Sequence, residues 1–318
     1  MLGSGQTGAY TALTLIAALW GSYPAFAKLA LVAFPPLVLV ALRCAIASVF
    51  LCALLYRRGA SEFTALRPRD LGPLAFLGFT GIFVSMGGTY LAIAFTTASS
   101  AVLLQPATPV MVVICARLYL GERLRPIQWA GVACSAAGVG LIITKGSWQA
   151  IMHLDLRPGD FLLLLSQVGW AAYTVYGKRV LARHSPTVAT TTAYVLGSLM
   201  LLPLPIFTAG LFPAPDLTSP VAWTIVGYQA ILGSIAHVWW YEAVHLVGPS
   251  RSAVFLNLQP VVGVLLAWAM LGERIGLTGI LGGAAVLAGV AFTTRRESEP
   301  SEKSAAGGRR GGLRPPSE

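Results

Sequence analysis

Charge is what this chain lacks. Of its 318 residues, 56% are hydrophobic and 11% charged, where an ordinary soluble domain carries about a quarter charged residues. So few charges cannot clothe a water-soluble surface, and the composition is that of a membrane protein. Cysteine is also scarce. Cys44, Cys52, Cys115 and Cys134 form no C-x-x-C and have no His close by in sequence. They read as small buried side chains, so neither a metal site nor a redox pair is expected. No nucleotide-binding loop, H-E-x-x-H or G-x-S-x-G spacing occurs, which excludes an ATP-driven pump and the common hydrolases, and no cofactor is expected. His153, Asp155 and Asp160 share one connecting segment. A loop ion pair or a helix cap explains them more economically than catalysis does.

What the chain has is apolar runs. Ten follow one another: Gly8 to Leu31, Pro35 to Tyr56, Leu71 to Phe95, Ser99 to Tyr119, Ile127 to Thr144, Phe161 to Lys178, Thr187 to Thr208, Val221 to Val244, Ser250 to Met270 and Gly276 to Phe292. Each is long enough to cross roughly 30 Å of hydrocarbon. Backbone exposed to lipid must bond to itself, so the runs are expected to be helices. The first lacks a basic lead-in and a clear A-x-A site, and reads as a retained helix rather than a signal peptide. The polar tail 294–318 cannot bury apolar area and is expected to be disordered. If the amino terminus is cytoplasmic, eleven Lys and Arg residues before the tail fall inside and four outside. Positive charge therefore places both termini in the cytoplasm. The formal charge of +10 reflects topology and attraction to anionic lipid, with no nucleic acid implied.

The scarce charges are also repeated. LGERL at Leu120 to Leu124 returns as LGERI at Leu271 to Ile275. A shift of 151 residues lays Pro109 on Pro260, Tyr90 on Tyr241, Gly131 on Gly282 and Gly138 on Gly289, and a shift of 150 lays Trp20 on Trp170, Tyr23 on Tyr173 and Lys28 on Lys178. The chain therefore divides into two five-helix halves, 1–145 and 160–293, joined by an outer loop at 146–159. Five crossings per half is an odd number, so the second copy stands upside down. The expected fold is an all-α membrane protein of about ten transmembrane helices in two inverted repeats, an architecture common among secondary transporters. In the repeated turn, Gly121 and Gly272 let one helix end. Glu122 and Glu273 are placed to meet the positive end of the next.

These features resemble the drug/metabolite transporter superfamily, and within it the EamA type. The resemblance covers nearly the whole chain to Phe292. It rests on the doubled domain, on "LQPATPVMVVICARLYLGERL" and "NLQPVVGVLLAWAMLGERI", on "LRCAIAS", and on the W-x-x-Y…K pattern of the first and sixth spans. It implies a ten-helix carrier in a bacterial inner membrane, an exporter of amino acids or other small metabolites by alternating access, with its substrate held between the halves. Export of cationic drugs on the same fold is the alternative, followed by a membrane enzyme or a scaffold. The expected partners are a small-molecule substrate, the lipid bilayer, a coupling proton if transport is driven by one, and at most a second copy of the chain, as monomer or homodimer.

Polar groups inside a membrane are costly and belong on the bundle interior. Ser234, His237, Tyr241 and His245 recur at helical spacing with Glu242 beside them, so His237 and Glu242 are candidates for contact with substrate or proton. Glu242 reads equally well as a headgroup-level side chain paired with Arg251. Arg43 is the one basic residue deep in a span. It is structural, as the family's "LR" segment implies, or it captures a substrate carboxylate. Pro24, Pro106, Pro109 and Pro260 each remove a helical bond and mark breaks that border a cavity, with Gln105, Asn257 and Gln259 nearby, or else simple kinks. Among the aromatics, Trp20 and Trp170 are the favoured cavity residues because the repeat equates them. Tyr23 and Tyr173 accompany them.

Overall fold

The computed structural model describes residues 5–58, 66–96, 104, 107–147, 149, 158–271 and 276–294. Among these, every regular element is helical. In chain order they are α1 (Gln6–Ala30), α2 (Pro36–Arg58), α3 (Pro68–Phe95, with a π-helical stretch at Gly78–Gly87), α4 (Ala107–Leu120), α5 (Pro126–Thr144), α6 (Pro158–Val180), α7 (Pro186–Leu201), α8 (Pro220–Val247), α9 (Pro249–Val254), α10 (Leu258–Leu271) and α11 (Leu277–Thr294). A short helix, Leu204–Phe207, follows α7, and a 3-10 turn, Phe255–Asn257, joins α9 to α10.

Proline writes the starts. Pro36, Pro68, Pro126, Pro158, Pro186, Pro220 and Pro249 each open a helix, where the missing N–H costs no bond and the ring presets φ. Ser185 and Ser219 add caps, their hydroxyls accepting from the N–H groups of Val188 and Ala222 at 3.3 Å. Gly121 and Gly248, just past the ends of α4 and α8, take the positive φ values of 70° and 87° that favour glycine.

Five of the described helices are long and apolar enough to cross a membrane: Pro36–Arg57, Pro68–Phe95, Pro186–Phe207, Pro220–Val247 and Leu277–Thr294. Ala107–Leu120 and Pro126–Ile142 are shorter apolar helices. The helices α1 and α6, at 25 and 23 residues, are also long, and they carry Trp20, Ser22 and Tyr23, and Ser166, Gln167, Trp170 and Tyr173, into the interior. The molecule is inside out relative to a soluble domain. Val49, Leu165, Leu199 and Leu287 are exposed, while Arg43, Gln229, His237 and Asn257 are buried.

The equated residues meet one another. The rings of Trp20 and Trp170 stand edge to face at 5.3 Å. The Ser48 and Ser198 hydroxyls, 150 positions apart, bond at 3.0 Å, and the Cys134 thiol donates to the carbonyl of Ala285, 151 positions on, at 3.4 Å. A residue touches its own image only on a two-fold axis. Around the third point, Gly131 packs on Gly289 and Gly138 on Gly282, so each glycine of one helix meets the image of the other. The order of these contacts makes α5 and α11 antiparallel, and the axis crosses the helices rather than running along them.

The glycines let the two backbones touch. A Cβ on Gly138 would lie 2.6 Å from the Gly282 carbonyl oxygen and 2.8 Å from the Val286 nitrogen, while nothing lies within 4 Å of one on Gly140. Gly138→Leu is therefore expected to cost about 1–3 kcal/mol through overpacking. Gly140→Leu should be within roughly 0.5 kcal/mol of the parent. Thermal unfolding of both variants in detergent checks this, and equal melting temperatures would refute the contact.

Candidate functional site

The axis enters the bundle at Trp20 and Trp170, and α8 lays His237 against both. The imidazole is 3% exposed, with its centroid 4.9 Å from Trp20, 5.5 Å from Trp170 and 5.4 Å from Tyr194. Trp240 closes the cluster at 5.7 and 5.4 Å from the two equated indoles. Tyr173 stacks on Tyr241 at 4.6 Å and lies 5.4 Å from Trp170. Two glycines admit the tyrosines. Tyr173 lies on Gly81 within the π stretch of α3, and Tyr23 lies on Gly233 of α8. Since Tyr23 and Tyr173 are equated, the two halves use one packing device twice.

Several polar atoms in this cluster are buried without a partner, namely the indole N–H groups of Trp20 and Trp170, the Tyr173 hydroxyl and the Nε2 of His237. The imidazole Nδ1 lies 2.7 Å from the Gly233 carbonyl and 3.1 Å from the Tyr194 hydroxyl. A carbonyl can only accept, so Nδ1 carries the proton. In the neutral ring Nε2 is then a free acceptor.

Two turns along α8 lies a second group. The Arg43 guanidinium, 3% exposed, donates from Nη1 to the Tyr90 hydroxyl at 2.7 Å, and that hydroxyl donates to Gln229 Oε1 at 2.7 Å. The rings of Tyr23 and Tyr90 stand 5.3 and 5.4 Å from the guanidinium carbon. Four helices, α1, α2, α3 and α8, thus converge on one buried cation.

Of the residues singled out in the sequence, the fold brings together Trp20, Tyr23, Arg43, Trp170, His237 and Tyr241. It leaves others apart. Glu242 is half-exposed, about 100° round α8 from Tyr241, and forms no ion pair with a described residue, Arg251 included. Ser234 bonds back to the Ile231 carbonyl at 2.9 Å, and His245 is exposed. Asn257 lies in the 3-10 turn and donates to Ser135 Oγ at 2.8 Å, while the Gln259 backbone packs on Gly21 of α1. Pro109 lies within α4, and Pro260 lies within α10 just after the 3-10 turn Phe255–Asn257, which interrupts the α-helical bonding between α9 and α10. Pro24 lies within α1, which continues through it. Gln105, Pro106, Gly272 and Glu273 lie outside the described residues. Asp160 sits in the first turn of α6 and accepts the Thr96 hydroxyl.

Tyr90, Tyr194 and Gln229 belong to the cluster without having been singled out as pathway residues. Gln229 was the readable one, eight residues before His237 and so on the same face of one helix. Glu122 also has a partner the sequence did not suggest. It accepts from the Ser250 hydroxyl and lies against Gly248, at the start of α9 rather than of the helix that follows it. Its carboxylate still meets a helix N-terminus, but one in the other half.

Compared with known proteins, the chain matches the EamA-like transporter family over residues 7–144 and again over 157–295. It belongs to that family. A protein of Archaeoglobus fulgidus named "Uncharacterized transporter" is similar to this EamA-like protein at 30% identity over 296 residues, covering 92% of this chain and 99% of the other. A "Probable terminal-alkyne amino-acid exporter" of Streptantibioticus cattleyicolor is 30% identical over 251 residues, 77% of this chain and 80% of its own. One solved structure, titled only as the crystal structure of a protein, shares the fold at a TM-score of 0.72 and 22% identity, covering 89% of this chain and 95% of that one. The chain is therefore a multi-pass membrane protein of a transporter family.

Tyr90→Phe removes both the acceptor of Arg43 Nη1 and the donor to Gln229. It is expected to cost about 1–3 kcal/mol, because two buried groups lose their partner together. Tyr228→Phe, which removes a half-buried hydroxyl 2.8 Å from Ser22, should cost about 0.5–1.5 kcal/mol. Paired unfolding titrations compare them, and a Tyr90→Phe no less stable than Tyr228→Phe would show that the chain from Arg43 to Gln229 carries no weight.

Proposed function

We propose that this protein is a secondary carrier of small organic metabolites, with amino acids the leading class, and that it exports them from the cytoplasm across a bacterial inner membrane by alternating access. In this reading the chain crosses the bilayer ten times in two inverted five-helix halves, with both termini cytoplasmic, and it performs no catalysis. The observation that carries it is the meeting of the equated Trp20 and Trp170 with His237 buried against both. Inverted-repeat carriers hold their substrate near the bilayer midplane where the repeats meet. There the axis passes, and there polar atoms lack partners. The antiparallel contact of α5 with α11 supports inversion, and the amino-acid exporter among the relatives supports the cargo class. The cationic-drug reading has less support, because no described carboxylate lies in the cluster and Glu242 stands away from it.

Flux of labelled amino acids, nucleosides and cationic drugs from loaded proteoliposomes, with and without an imposed pH gradient, tests the proposal. Saturable efflux of one class is expected, and acceleration by the gradient would identify a proton as the coupling ion. His237→Ala should lower that flux at least tenfold at equal protein density, since it removes the polar group that both equated indoles touch. Flux unchanged by the variant would take His237 out of the pathway. Folded protein that moves none of the panel would count against the carrier.

A further inference from the structure

Resting on the carrier reading, we infer that the central site takes its cargo by a carboxylate, with Arg43 and Gln229 as the receiving groups and the Trp20–Trp170 pair against an apolar, ring-bearing body. The argument is an inventory of unmet groups. Arg43 Nε, Gln229 Nε2 and the indole N–H groups of Trp20 and Trp170 are all buried without a partner. All four are hydrogen-bond donors. Against them stand the Nε2 of His237, which in the neutral ring can only accept, and the Tyr173 hydroxyl, which can donate or accept.

The charge is as one-sided as the hydrogen bonds. The titratable groups acting on the Arg43 guanidinium are Tyr90, Cys44, Tyr23 and Tyr194, three phenols and a thiol. No described carboxylate pairs with it. The two tyrosine faces attract the cation without neutralising it, and a buried cation is stabilised fully only by an anion with good geometry. A planar carboxylate matches the fork of a guanidinium, and its second lone pairs suit the Gln229 amide. An ammonium group finds no such provision, for Glu242, the acid nearest along α8, lies on another face. What a cargo needs is the carboxylate. Its amino group meets only neutral acceptors, the His237 Nε2 and the Tyr173 hydroxyl. Indole faces and edges favour a ring on the remainder of the molecule.

Binding to the purified full-length protein, read by intrinsic tryptophan fluorescence and calorimetry, tests this without requiring flux. The probes are phenylalanine, 3-phenylpropionate, which lacks the amine, and phenylalaninamide, which lacks the carboxylate. Phenylalanine and 3-phenylpropionate are expected to bind within about threefold of each other, and phenylalaninamide at least tenfold more weakly. Arg43→Gln should remove the distinction but endangers folding, so Gln229→Glu is the second variant. It places a carboxylate in the relay from Arg43, should melt no lower than the parent, and should weaken 3-phenylpropionate at least tenfold. Equal or tighter binding of phenylalaninamide, absence of saturable binding by all three probes, or a folded Gln229→Glu that binds 3-phenylpropionate normally would each overturn the proposal. Carboxylate binding without proteoliposome flux would instead overturn the carrier and leave the ligand class standing.

Discussion

A guanidinium cannot be carried into an apolar bundle without polar company, and the centre of this protein is arranged around that requirement. Arg43 sits two turns into α2 and is buried. Its partners come from three other helices: the Tyr90 hydroxyl from α3, the Gln229 amide behind it on α8, and the ring of Tyr23 from α1. Each helix is thereby held in rotation as well as position, because a side chain one residue along would face about 100° away. Removing the cation would release four helices at once. The same set of contacts places His237 one and two turns beyond Gly233 and Gln229, so the polar interior is continuous with the aromatic pair on the axis.

The second constraint is closeness. Hydrocarbon offers helices little reason to associate, so contact in a membrane depends on packing small residues. Here glycines do that work at α5 and α11, and glycine opposite tyrosine does it at Gly81 and Gly233. The two devices differ in consequence. Glycine on glycine gives a backbone contact with nothing to rearrange, suited to a fixed joint. Tyrosine on glycine keeps a large ring next to the site, where a rotation of the side chain changes what the interior can hold.

Much of the architecture was legible in the sequence because hydrophobicity is counted by length and a repeat is counted by register. The helices fall where the apolar runs are, the family motifs point to the family found, and Trp20 and Trp170 were matched by arithmetic alone before their rings were seen to touch. The site was less legible. A linear spacing shows which residues share a face of one helix but not which face looks inward, so Glu242, adjacent in sequence to Tyr241, was grouped with it and lies elsewhere. Tyr90 and Tyr194 could not be assigned to the cluster, since each reaches it from a different helix.

The first copy of the repeated turn, finally, makes a contact between halves. Glu122 spans from the end of α4 to Ser250 at the start of α9, while Lys178 at the end of α6 donates to the carbonyls of Val244 and His245 at the end of α8. Helix ends of opposite polarity are thus met by side chains of the appropriate sign from other helices. When two parts are related by a half-turn, a contact between them needs each partner written in both parts. The sequence meets that condition at three side chains: Glu273 matches Glu122, Lys28 matches Lys178 and Ser99 matches Ser250 under the same shifts. A joining role of this kind would give a chain with so few charges a reason to write LGER twice. A motif serving one helix would be free to differ between the halves, whereas one that joins them is constrained by the partner in the other.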